Sequence, residues 1–373
     1  MSDAARPRRP AAPIPLNLIT GFLGAGKTTL LNRLLRDPAL ADAAVIINEF
    51  GEIGIDHLLV EHVEDGVMLL STGCLCCTVR GDLVNTLEKL LRGLDNGRMS
   101  FGRVIIETTG LADPAPVLHT IMVHPYMTLR FRLDGVITLV DAVNGAATLD
   151  AHQEAVKQAA VADRIVLSKT DLIDTPERRA ALDALRARLS SLNPAAPVIE
   201  AGEANAARLI DCGLYDSTRK VPDVRRWLAA EAYAHDHDHQ HDVNRHDDRI
   251  RAFTLANEQA IPYSAFEMFL DLVRSMHGPN LLRVKGIVKI AETPDTPIVI
   301  HGVQHVFHPP VTLAAWPDED HRTRLVFIVN DIAPHAIQDL FNAFLGVAKA
   351  DQPDRAALID NPLTPFGGAD HLR

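Results

Sequence analysis

Along the first half of the chain, short apolar runs alternate with longer stretches whose apolar residues recur at helical spacing. Residues 15–20, 43–48, 67–71, 103–110, 133–141, 164–171 and 194–200 read as strands, each mostly apolar until polar residues appear at or just beyond its carboxyl end. Leu83, Leu87, Leu90, Leu91 and Leu94 mark one of the amphipathic helices between them, and another is expected near residues 224–234. Strands alternating with helices predict an α/β fold, a doubly wound and mostly parallel sheet that binds ligands beyond the carboxyl ends of its strands. The second half has a different rhythm. Strands at 251–255, 282–290, 298–308, 311–316 and 324–329, with helices at 263–276 and 334–345, predict a smaller α+β domain. The expected layout is a lead-in over 1–14, a nucleotide-binding domain over 15–233, a linker over 234–248, a second domain over 249–347 and a tail over 348–373.

Composition narrows the picture by exclusion. A net charge of −11 argues against nucleic acid, whose phosphates demand a basic face. No apolar run approaches the roughly 18 residues that would span a bilayer, so no membrane association is expected. The first residues, MSDAARPRRPAAPIP, carry arginines but no apolar stretch after them, and read as a lead-in and not an export signal. Three of the four cysteines are crowded together, which suits a reducing compartment better than a disulfide framework. A cytoplasmic location follows as the expectation.

Between the first strand and the helix after it stands GFLGAGKTT: Gly21, Phe22, Leu23, Gly24, Ala25, Gly26, Lys27, Thr28 and Thr29. Glycines here let successive backbone N–H groups curl around phosphates at the positive end of a helix. Lys27 would neutralise the β- and γ-phosphates, and the Thr28 hydroxyl would ligate Mg²⁺. At the end of the strand over 103–110, Glu107 stands where an acid would reach that Mg²⁺ through water, and Gly110 where an N–H would sense the γ-phosphate. Asp141 is the competing acid, or else the cap of the turn after it. Ser168-Lys169-Thr170-Asp171 ends another strand. A carboxylate at Asp171 accepts from guanine N1–H and its 2-amino group, whereas adenine presents an acceptor at N1. The acidic loop NEFGEIGID, residues 48–56, lies where a nucleotide-sensitive switch is expected.

Cys74, Cys76 and Cys77 form the second strong signal. Thiolates are soft ligands for Zn²⁺ and similar ions, and a turn at Cys77 would let all three close on one metal. A fourth ligand must come from water or elsewhere, which suits a site that releases its ion. His235, His237, His239 and His241 alternate with acidic residues; they read equally as a solvated linker with weak affinity for metal and as a metal-collecting tract. His301, His305 and His308 are expected to be core or surface residues, and Cys212 to be packing.

Taken in order, GFLGAGKTT, NEFGEIGID, GCLCCTVR, ETTG and SKTD resemble the CobW family of P-loop GTPases, relatives of the nickel-enzyme maturation GTPases. The resemblance covers about residues 15–211, and the smaller second region looks like the family's own carboxyl-terminal domain. It implies GTP and Mg²⁺ as cofactors and a slow GTPase coupled to handling of a transition metal, zinc or cobalt. Carried over by position, Gly21 to Thr28 hold the phosphates, Cys74, Cys76 and Cys77 the metal, and Ser168, Lys169 and Asp171 the guanine. Lys27, Thr28 and Glu107 would carry catalysis. The implied partner is a client metalloprotein or chelatase, with assembly into a homo-oligomer left open. A cobalt-handling role in cobalamin synthesis, a metal store with a weak GTPase, and an ATP-dependent P-loop enzyme are the alternatives.

Overall fold

The computed structural model describes residues 12–48, 69–72, 79–212 and 249–345. The cysteine loop, most of the acidic loop, the expected helix at 224–234, the histidine tract and the tail lie outside those residues. The first domain is built on strands β1 (Ile14–Gly21), β2 (Ala43–Asn48), β3 (Leu69–Thr72), β4 (Arg103–Glu107), β5 (Phe131–Asp141), β6 (Arg164–Ser168) and β7 (Val198–Glu200). They form a seven-stranded sheet in the order β3-β2-β4-β1-β5-β6-β7. All its pairings are parallel. The helices between them are α1 (Lys27–Leu34), α2 (Val79–Asp95), α3 (Ala115–Val123), α4 (Pro125–Arg130), α5 (Gly145–Ala151), α6 (Gln153–Ala160), α7 (Pro176–Leu192) and, after β7, the short α8 (Ala206–Leu209).

Burial on both faces explains why these strands are continuous apolar runs. Val104 and Ile106 of β4 pack on one face with Leu83, Leu87, Leu90 and Leu91 of α2 and with Leu118 and Ile121 of α3. Ile105, between them, packs on the other face with Leu30, Leu31 and Leu34 of α1. All the strands run the same way, so β1, β4 and β6 deliver their polar ends to one edge.

The second domain holds β8 (Ile250–Asn257), β9 (Leu281–Val288), β10 (Ile298–Val303), β11 (Val306–Phe307), β12 (Val311–Thr312) and β13 (Thr323–Asn330), with α9 (Tyr263–His277) and α10 (Pro334–Phe344). Its strands form an antiparallel sheet ordered β11-β10-β9-β13-β8, with β12 on β10. The single strand expected over 298–308 is instead a tight hairpin. Gln304 takes a left-handed φ of 54° and turns the chain back, so Gly302 pairs with Phe307. The strand expected over 311–316 is reduced to Val311–Thr312. Trp316 leaves the sheet, and its indole N–H donates to the Pro294 carbonyl at 2.8 Å.

One face of this sheet packs on α9 and α10 through Phe266, Phe269, Phe327 and Phe341. The other closes on the first domain. Val303 and Val306 join Val117, Leu118 and Ile121 of α3, and Leu282 and Ile328 join Ala160 of α6. At the centre of the seam, Asp163 accepts from Arg283 Nη2 at 2.5 Å and Lys285 Nζ at 2.6 Å, with all three residues buried. Burial alone would raise the Asp163 carboxyl, but the Arg283 and Lys285 charges more than offset it and hold it far below the usual carboxylate range. Lys285, desolvated and beside Arg283, is lowered to about 8 in spite of Asp163.

Removing one member of a buried pair costs about 3–5 kcal/mol, because its partners stay buried without a counter-charge. Asp163→Asn should therefore lower the urea-unfolding free energy by that order. The folded Asp163 carboxyl has the depressed pKa, so its contribution is full above about pH 4, the unfolded value, and is lost as pH falls below it. Stability curves of the two proteins should converge as the pH is lowered through that range; a constant gap would assign the loss to packing.

Candidate nucleotide site and its neighbours

The phosphate loop occupies the turn from β1 into α1. Gly21, Gly24 and Gly26 take φ values of 142°, 70° and 88°, which side chains rarely adopt. At Gly21 space also forbids a side chain, since a methyl group there would lie 2.5 Å from the Leu139 carbonyl oxygen. Gly26 precedes the first turn of α1 and brings no side-chain cap, so the helix opens with backbone N–H groups directed at the loop. Lys27 Nζ donates to the Gly21 and Phe22 carbonyls at 3.0 and 3.2 Å, which draws the ammonium over the loop. Phe22 braces the loop from outside by stacking on His152, with ring centroids 4.4 Å apart.

Thr28 Oγ1 donates to Glu107 Oε1 at 2.8 Å, tying the first turn of α1 to the end of β4. Glu107 is buried beside its neighbour Thr108, whose hydroxyl donates to Thr20 at 2.8 Å and whose N–H donates to the Ile19 carbonyl at 2.9 Å. A hydroxyl and a carboxylate meeting at a strand end form a hard oxygen donor set that fits Mg²⁺. The chain then turns at Thr109–Ala112 and enters α3. Gly110 lies so close to the phosphate loop that a methyl group on it would sit 2.6 Å from the Leu23 nitrogen.

Ser168, Lys169 and Asp171 lie on the same rim. Ser168 is the nearest neighbour of Gly26, 3.9 Å from where a methyl group on that glycine would stand. Lys169 adopts a left-handed φ of 58°, and its Nζ pairs with Asp141 Oδ2 at 2.7 Å. Asp141 also accepts from the Val143 and Asn144 N–H groups at 2.8 and 3.2 Å. Burial would raise its carboxyl, but the Lys169 bond and these N–H groups keep it below the ordinary range. Asp141 therefore caps the turn after β5 and fixes Lys169. Asp171 is exposed, in the turn Thr170–Leu172.

Cys74, Cys76 and Cys77, like His235, His237, His239 and His241, fall outside the described residues. The strand before the cysteines does have a fixed register: Thr72 pairs with Asn48, and Ile47, next to it, pairs with Glu107. The chain thus leaves β3 at the edge that carries Glu107. Among the described residues, no group of three or more metal-ligating side chains is assembled. His301 is buried in the second sheet and stacks on His308, with burial lowering both imidazoles, His308 to about 3. Cys212 is buried against Gly135, and burial pushes its thiol above the usual range.

Sequence reasoning missed the seam at Asp163 and the side chain of Gln158, which grips the loop after Glu107. A signal for the first was present: Arg283 and Lys285 stand two apart on an otherwise apolar strand, and so on one face. Nothing in the local pattern distinguishes Gln158 from any other polar helix residue.

The sequence profile described as "CobW/HypB/UreG, nucleotide-binding domain" matches residues 15–200, and that described as "Cobalamin synthesis protein cobW C-terminal domain" matches residues 250–345. The chain is 32% identical over 337 residues to the zinc chaperone YjiA of Escherichia coli, covering 90% of this chain and 99% of that one. It is 31% identical over 364 residues to the zinc chaperone CobW of a Sinorhizobium species, covering 89% and 97%. The crystal structure of Zn(II)-bound YjiA GTPase from E. coli superposes with a TM-score of 0.65 at 28% identity, over 90% of this chain and 99% of that one. Among the described residues no helix is long and apolar enough to cross a membrane.

Asp171 is exposed, so replacing it should leave folding intact and test the expectation that it reads guanine. A hydrogen bond to a charged group contributes about 1.5–3 kcal/mol. Asp171→Ala should therefore weaken GDP by about ten- to a hundredfold in calorimetric titration. The melting temperature and the affinity measured for ADP should not change; an equal loss for both nucleotides would remove Asp171 from base selection.

Proposed function

Because the chain belongs to the CobW family of P-loop GTPases, we propose that it is a GTP-hydrolysing metallochaperone. It carries zinc on Cys74, Cys76 and Cys77 and passes the ion to a client metalloprotein or chelatase in the cytoplasm as the nucleotide turns over. Zinc is favoured over cobalt because the relatives YjiA and CobW are zinc chaperones. The observation that carries the reading is the joining of Thr28 to Glu107 at the rim where the strand before the cysteines also ends.

Each part has a role in this reading. Gly21 to Thr29 wrap the phosphates with backbone N–H groups, and Lys27 exchanges the Gly21 and Phe22 carbonyls for phosphate oxygens. Thr28 and Glu107 are the residues that would hold Mg²⁺, which supplies neutralisation of phosphate charge when bound. Asp171 reads the guanine edge while Lys169, fixed by Asp141, flanks the base. Gly110 senses the γ-phosphate, and the loop it belongs to runs straight into α3, the helix against which Val303 and Val306 of the second domain pack. A change at the γ-phosphate thus has a packed path to the second domain, and a short backbone path along the sheet edge toward the cysteines.

Metal and nucleotide affinities should then be linked reciprocally. Zinc titrated against the full-length protein should bind about 5- to 150-fold differently with a non-hydrolysable GTP analogue than with GDP. The analogue should gain or lose the same factor when zinc is present. A variant with serine at Cys74, Cys76 and Cys77 should lose this coupling and keep its nucleotide affinity, and deletion of residues 234–248 should lower the zinc stoichiometry without touching the coupling. Equal zinc affinity in the two nucleotide states rejects the proposal.

A further inference from the structure

The loop after Glu107 is held by a buried side chain that does not belong to it. Gln158 of α6 is 1% exposed, and its Nε2 donates to the Gly110 carbonyl at 3.1 Å and the Ala112 carbonyl at 3.0 Å. Only the amide nitrogen satisfies this position, since the oxygen in its place would face two acceptors. Its Oε1 is buried without a hydrogen-bond partner among the described residues, so the side chain is committed to the loop at some cost.

The anchor itself does not move easily. Thr138 Oγ1 on β5 donates to the Gln158 carbonyl at 2.7 Å. Asn193 Nδ2 reaches the Ala159, Ala160 and Ala162 carbonyls at 2.9–3.0 Å and so closes the carboxyl end of α6. Lys157, one residue earlier, pairs with Asp113 of the same loop at 3.5 Å. On its other side the loop abuts the phosphate loop, with Gly110 against the backbone of Leu23. The Gly110 carbonyl belongs to the peptide that leaves Gly110, so fixing it sets how that residue is presented to the phosphate loop.

We propose that Gln158 is a positioning residue for GTP hydrolysis, which grips the Gly110 and Ala112 carbonyls and holds Gly110 at the γ-phosphate end of the phosphate loop. The proposal rests on the reading that this chain hydrolyses GTP. A donor fixed before reaction costs no reorganisation during it, and small displacements of such groups slow turnover far more than they weaken binding. GDP has no γ-phosphate, so the effect of Gln158 on it should be small.

The test uses the full chain with Gln158→Met, which keeps the volume and removes the donor, and Gln158→Glu, which keeps the shape. Gln158→Met should lower kcat by about ten- to a hundredfold. It should also weaken a non-hydrolysable GTP analogue relative to GDP, with GDP affinity close to that of the original protein and the thermal melt lowered by only a few degrees as the two carbonyls lose their donor. In Gln158→Glu the buried carboxyl has a raised pKa and donates only when protonated. Its turnover relative to the original protein should therefore rise as pH is lowered from about 8 to about 6. A folded Gln158→Met protein with unchanged kcat and an unchanged analogue-to-GDP affinity ratio overturns the proposal, and so does an equal loss of both nucleotides. If Gln158→Met does not fold, the pH dependence of Gln158→Glu decides, and a flat ratio overturns the proposal. Absence of GTP turnover in the original protein would instead overturn the GTPase reading, and the analogue-to-GDP ratio would still judge Gln158.

Discussion

A parallel sheet buried on both faces offers a ligand polar chemistry only at its strand ends, and that constraint governs the first domain. Strands β1, β4 and β6 carry apolar side chains to both faces over most of their length, and the polar groups left accessible at their carboxyl edge lie together. The phosphate loop, Glu107 and the Ser168–Asp171 turn meet there because each ends a strand and the strands run the same way. The Thr28–Glu107 hydrogen bond is the local expression of that geometry, joining the helix after β1 to the end of β4.

The second domain is attached by a different kind of interaction. Apolar contacts from Val303, Val306, Leu282 and Ile328 would let two surfaces slide, whereas Asp163 with Arg283 and Lys285 fixes a register, since a displaced charge would be left buried without its partner. Two of the helices it contacts, α3 and α6, hold the loop after Glu107. One begins where the loop ends, and the other carries Gln158. The nucleotide edge and the second domain therefore share supports.

The expectation for one strand changed, and that for one acid narrowed, for identifiable reasons. The apolar run over 298–308 carries no glycine or proline at its bend, yet Gln304 adopts a left-handed conformation and a hairpin forms, because β11 then pairs back on β10 and seats Val306 against α3. Asp141 has the strand-end position of a metal-binding acid, but the backbone turn and Lys169 use both of its oxygens. His301 and His308, by contrast, stand where they were expected, as a stacked pair within the second domain.

The sequence by itself determined the strand–helix alternation, the parallel sheet, the division of labour between an α/β half and an α+β half, and the residue types at the nucleotide edge. These follow from periodicity and from local requirements of glycine, lysine and carboxylate that act within a few residues. Tertiary structure decided what depends on residues distant along the chain: that Glu107 meets Thr28, that Asp163 receives two cations from a strand some 120 residues away, and that Gln158 turns inward to grip Gly110. A hydrogen bond between such residues leaves no periodic trace, because its partners are brought together only when the sheet and its covering helices have closed around them.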